Sequence, residues 1–199
     1  MIESVTVAEA EHGLELTVKD HYDDFAGTIR WRMDKNGVGR INYDYAYAGP
    51  PLDSREVGIK ALLPASYDEL KWRRWSEWGS FPKDCICRTE GVARARRDKK
   101  WPDQPANLKP AWPWSQDQTE LGTADFRSIK FCIYEASLLA SDGSGVRVDA
   151  HADAHFRACL ADQGVNMYIL SQCPLAEVTL KKGTRLTGEF SVNLMPKQR

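Results

Sequence analysis

The 199-residue chain predicts an all-β fold, an antiparallel sandwich, on three observations. Apolar and polar residues alternate with period two along most apolar runs. Turns rich in Gly, Pro and Asn separate those runs, and no segment keeps a 3.6-residue period over three helical turns. The length is enough for one well-buried core, so a single domain over residues 1–199 is expected.

The elements follow in order. Gly13 to Val18 and Thr28 to Met33 alternate apolar and polar residues. Asn36-Gly37 stands just before a further alternating run, Arg40 to Tyr47, which predicts a hairpin closed by a short glycine-containing loop. Val57 to Leu63 and Leu70 to Trp75 read as strands on either side of a Pro64–Asp68 turn. Tyr67 to Arg74 and Val92 to Arg97 are the nearest approach to helical turns. Trp101 to Trp114 contains Pro102, Pro105, Pro110 and Pro113, a density that excludes a helix or a central strand and predicts a long extended loop packed by its tryptophans. Ser128 to Ala140, a turn at Asp142 to Gly145, and Val146 to Leu160 form the clearest hairpin. Val165 to Leu170, Ala176 to Leu180 and Leu186 to Leu194 complete the chain as strands.

Composition narrows the function classes. A net charge of −1 and a pI near 6.4 argue against nucleic acid as a partner, since the basic run of Arg94, Arg96, Arg97, Lys99 and Lys100 is balanced by acids elsewhere. No stretch approaches the ~20 apolar residues of a membrane-spanning helix, so no membrane partner is expected. The first thirty residues do not read as a signal peptide. The five cysteines (Cys85, Cys87, Cys132, Cys159 and Cys173) are odd in number and contain no CxxC pair. Reduced thiols are expected, which favours a cytoplasmic protein or an excised fragment, and Cys85-Ile-Cys87 lacks the second pair a structural metal needs.

Candidate binding residues cluster with the tryptophans. Six of the seven fall between Trp72 and Trp114, among Arg, Lys and Pro. An indole is costly to expose, and its ring face suits the C–H side of a pyranose, so such a cluster suggests a groove for a flat ligand or a docking face. The spacing of three between Trp72, Trp75 and Trp78 breaks strand alternation, so these side chains cannot all share one face. Trp72 ends an alternating run and is expected in the core; Trp78, beside Gly79-Ser80, is expected at the surface, and Trp75 joins it as a carbohydrate-binding candidate. Asp125 and Arg127, in Gly122-Thr-Ala-Asp-Phe-Arg-Ser128, either hydrogen-bond sugar hydroxyls or pair with each other to pin the proline-rich loop.

A second constellation lies on Val146 to Ala158. Alternation puts Val146, Val148, Ala150, Ala152, Ala154, Phe156 and Ala158 on one side and Arg147, Asp149, His151, Asp153, His155 and Arg157 on the other. His151, Asp153 and His155 on one face could ligate zinc or iron, but two arginines on that face would repel a cation. A solvated or interdomain face of Asp, His and Arg pairs is therefore the reading preferred, with no metal or other cofactor expected. The chain has no GxSxG, HExxH or glycine-rich phosphate loop, and no acid pair in a recognisable glycosidase motif, so no catalysis is expected from it alone.

The run Tyr43-Asp-Tyr-Ala-Tyr47, then Arg55-Glu-Val-Gly-Ile59, then Leu70-Lys-Trp72 and Trp75-Ser-Glu-Trp-Gly-Ser-Phe-Pro-Lys-Asp84, resembles the C-terminal domain of family 2 glycoside hydrolases. It is similar to the small-chain or fifth domain of β-galactosidases. Arg55 and Gly58 match one family element; Trp72, Phe81 and Pro82 match a second, and Gly122 to Arg127 a third. Ser76-Glu77 replaces a Gly-Pro and Lys83-Asp84 replaces an Asp-Arg, which marks a divergent branch. The resemblance extends roughly from Gly27 to Leu194. It implies a supersandwich of the galactose mutarotase-like kind, forming the C-terminal part of a larger enzyme whose catalytic glutamates lie in a separate barrel domain. Such a domain packs on the barrel and helps to shape a carbohydrate site. The family's substrate-facing aromatic has no match near Ser171-Gln172-Cys173, and the His and Glu pair of mutarotases has no clear counterpart. Two other functions fit the residues: an independent carbohydrate-binding module on the tryptophan surface, and a metal-dependent mutarotase- or isomerase-type enzyme on His151, Asp153 and His155.

Overall fold

The computed structural model describes residues 1–54, 56–76, 88–95, 129–172 and 177–197. Of these, 75% are in strands and none is helical. Thirteen strands occur among the described residues: β1 (Ile2–Ala10), β2 (Gly13–Tyr22), β3 (Phe25–Asp34), β4 (Val38–Tyr47), β5 (Leu52–Ser54), β6 (Val57–Leu63), β7 (Glu69–Arg74), β8 (Glu90–Arg94), β9 (Ile129–Leu139), β10 (Gly145–Ala161), β11 (Gly164–Gln172), β12 (Val178–Leu180) and β13 (Arg185–Met195). All pairings are antiparallel, and the sheets do not close into a barrel. The fold is an all-β antiparallel sandwich.

The alternating runs become strands where expected. Asp34 Oδ1 accepts from the backbone N–H of Asn36 (2.8 Å) and Val38 (2.9 Å), and Gly37 takes φ 81°, which closes the β3–β4 hairpin. Asp142 does the same at the β9–β10 turn, accepting from Ser144 N at 3.0 Å. Two expectations are corrected. Tyr67 to Arg74 is two irregular residues followed by β7, and the described part of Val92 to Arg97 belongs mostly to β8. Neither has a helical period to bury, whereas extension pairs Leu70 with Ala93 and lets β7 bond β9 on its other edge. β1 and β5 also join the strands read from alternation; β1 is exposed along its length and pairs only β2.

One sheet runs β1-β2-β3-β4-β13-β10-β9-β7-β8, and β11 and β6 branch from it through β10. The branch follows from the length of β10. Gly145–Asp149 pairs β13, His155–Ala161 pairs β11, and β9 lies along the opposite edge of both halves. The change of partner coincides with a bulge: the β9 register shifts between Asp149 and Ala154, and Ala152 (φ 65°) and Cys132 (φ 50°) are both left-handed. The two branches face each other over a core that includes Leu70, Trp72, Ile133, Val148, Phe156, Ile169 and Phe190. Each of these apolar side chains stabilises the fold by roughly 1.5–3 kcal/mol or more through burial.

Candidate functional site

A row of residues crosses the sandwich at one rim. Beyond the end of β7, the Trp75 N–H donates to Cys132 O of β9 at 2.8 Å. The Cys132 N–H donates to His155 Nδ1 of β10 at 2.9 Å, and His155 pairs with Leu170 of β11. Next in β11, Ser171 Oγ donates to Val57 O of β6 at 3.2 Å and lies 2.7 Å from the Tyr43 hydroxyl of β4.

Of the tryptophans of this region, Trp72 and Trp75 are described, and they do not share one environment. Trp72 is buried in the core, donating from Nε1 to Arg88 O at 3.0 Å, with the Lys130 ammonium 4.3 Å from its ring centroid. Trp75 is 47% exposed. The same Arg88 carbonyl accepts from Arg74 Nε at 3.1 Å, so two side chains on one face of β7 converge on it. Trp78, Asp125 and Arg127, the other carbohydrate-binding candidates, lie outside the described residues, as do Cys85, Cys87, Cys173 and the proline-rich segment from Trp101 to Trp114. Cys132 is half-buried and Cys159 buried.

His151, Asp153 and His155 do not form the evenly projecting array that strict alternation implies. The bulge at Ala152 interrupts the pleat, leaving His151 and Asp153 exposed and His155 half-buried. Asp153 Oδ1 folds back to accept from the His151 N–H at 3.0 Å. On His155, Nδ1 spends its lone pair on the Cys132 N–H, so the neutral ring carries its proton on Nε2 and offers no lone pair to a metal there. Burial pulls the His155 imidazole below its usual pKa, with the Asp153 charge opposing. Phe131 packs edge-on against the ring, 5.8 Å between centroids. Among the described residues, no group of three or more His, Cys, Asp or Glu is placed to hold a metal ion.

Sequence reasoning missed several polar partners of the two layers. Arg157 Nη1 donates to both carboxylate oxygens of Glu56 at 2.8 Å, which ties β10 to the start of β6, and its guanidinium lies 5.4 Å from the Tyr168 ring centroid. The Tyr43–Ser171 contact and a hydrogen bond from the Tyr45 hydroxyl to Asp20 were also not foreseen. The available signal was the Tyr43-Asp-Tyr-Ala-Tyr47 run itself, whose alternate tyrosines on an inward face each carry a hydroxyl in need of a partner. Compared with known proteins, the chain matches no family model, and no curated protein is significantly similar to it.

Proposed function

We propose that the chain is a non-catalytic β-sandwich domain of the kind found at the C-terminus of family 2 glycoside hydrolases, packing on a catalytic barrel and helping to shape a carbohydrate site. The observation that carries this reading is the partition of Trp72 and Trp75. Three residues apart, one indole anchors the core and the other is held out at the rim by a backbone clamp to β9. An exposed indole on a fixed backbone has a ring face available for a sugar and little conformational freedom left to lose on binding. The all-β sandwich and the family resemblance of Tyr43 to Tyr47, Gly58 and Trp72 support the same reading. The partners expected are a carbohydrate and the barrel domain of the parent enzyme.

The test has two parts. The purified 199-residue chain should release no chromophore from a panel of nitrophenyl glycosides, and the gene should continue in frame into a barrel domain carrying two catalytic carboxylates. Turnover by the isolated chain would refute the reading. An independent binding module is the alternative that the exposed Trp75 also allows. Glycan-array binding by the isolated chain, abolished in Trp75→Ala and with no barrel encoded alongside, would select it instead.

A further inference from the structure

A cleft of about 600 Å³ opens between the two layers, a size common for small-ligand sites. One wall is the inward face of β2, β3, β4 and β13; the other is built from β5, β6 and Leu180 of β12. Asp20, Tyr22, Phe25, Tyr45, Glu56 and Ile59 are among its lining residues.

The register explains the shape of the first wall. Asp20 of β2, Gly27 of β3 and Tyr45 of β4 stand side by side in adjacent strands. The Tyr45 hydroxyl donates to Asp20 Oδ1, so its ring has to cross β3, and it crosses at Gly27, the one place in that row without a side chain. The phenol therefore lies along the sheet and turns a ring face toward the opposite wall. The neighbouring rings are already engaged: Phe25 packs on Tyr47 with centroids 4.8 Å apart, and Tyr43 stacks on Phe190 at 5.9 Å. Glu56 is likewise committed, both its oxygens accepting from Arg157. Among the described residues Asp20 has no basic partner and accepts only the Tyr45 hydroxyl.

We propose that this cleft binds a neutral saccharide ring, with its C–H face on Tyr45 and hydroxyls donating to Asp20. One open aromatic platform ending in a carboxylate with unused lone pairs is complementary to a pyranose, which offers an apolar face edged by hydroxyl donors. An anionic ligand would meet the Asp20 charge, while Lys60, the lysine of the lining, stands 5.8 Å from the Tyr168 ring centroid. A quaternary ammonium would need several open ring faces around it, and here only Tyr45 and the exposed Tyr22 are free of ring partners among the described residues. The site contains neither Trp75 nor any residue of the rim row apart from Tyr43 and Val57, and it does not depend on the family reading.

Saturation-transfer NMR on the full chain with the methyl glycosides of glucose, galactose, mannose and xylose tests the proposal. At least one glycoside should receive saturation on its C–H face. Its affinity should fall about tenfold in Asp20→Asn, which keeps an acceptor for Tyr45 but removes the charge, and further in Tyr45→Leu. Val92→Ala, at an exposed position of β8 outside both the cleft and the rim row, should leave it unchanged, and amide spectra of each variant verify the fold. The proposal is overturned if none of the four glycosides binds, if binding is lost in Trp75→Ala and kept in both cleft variants, or if tetramethylammonium binds more tightly than every glycoside.

Discussion

The hydroxyl of Tyr43 lies 2.7 Å from Ser171 Oγ, joining β4 in one layer of the sandwich to β11 in the other. Because Ser171 donates onward to Val57 O, the phenol is left as the donor in the pair. Burial raises the Tyr43 pKa, with the Ser171 bond opposing, so the donor proton stays in place across the physiological range. Tyr43→Phe removes this one bond and keeps the ring stacked on Phe190. The expected cost is about 0.5–1.5 kcal/mol, read as a lower urea midpoint with an unchanged m-value.

The two tryptophans that flank the end of β7 should differ sharply under truncation. Trp72→Ala empties a core position and strips the aromatic face from the buried Lys130, so a loss of about 3–5 kcal/mol is expected. Trp75→Ala, at an exposed position tied through its backbone to Cys132, should stay within about 0.5 kcal/mol of the parent. Equal losses in guanidinium titrations would mean that the partition between core and rim is wrong.

Gly91 of β8 sits opposite Trp72 of β7, and a Cβ there would press into the six-membered edge of the indole. Gly91→Ala is therefore expected to destabilise by about 1–3 kcal/mol through overpacking. Combining it with Trp72→Phe, which shortens the ring system, should give a double variant less destabilised than the sum of the two single changes.

The buried imidazole of His155 makes stability depend on pH in a defined window. Its folded pKa lies below the ordinary value near 6.5, so the unfolded chain takes up a proton before the folded one does. Its contribution is fully present above pH 6.5 and is lost as pH falls toward the folded value. The depressed carboxyls of Asp34 and Asp142, held down chiefly by hydrogen bonds from Val38 and from Ser144, act in the same direction only at lower pH, near the ordinary carboxylate range. His155→Gln keeps an acceptor for the Cys132 N–H and should flatten the slope of unfolding free energy just below pH 6.5. An unchanged slope would assign that window to another group.

Strand content was legible because it is written locally. The alternation in Thr28 to Met33 or Leu186 to Leu194 fixes which side chains point inward whatever the partner strand turns out to be. The turn chemistry of Asp34 to Gly37 and of Asp142 to Gly145 is likewise contained in a few consecutive residues. β8 escaped notice because five residues with no strong pattern become a strand only when β7 supplies their hydrogen bonds.

The sequence by itself determined an antiparallel β class, the hairpin positions and the burial of Trp72. Only the tertiary structure decided that β10 bends at Ala152 to serve both layers, that His155 gives its Nδ1 to a backbone N–H, and that Tyr45 reaches Asp20 across Gly27. Each of these depends on register between strands distant in the chain. Register is set by the summed packing of whole faces, so no local run of residues encodes it.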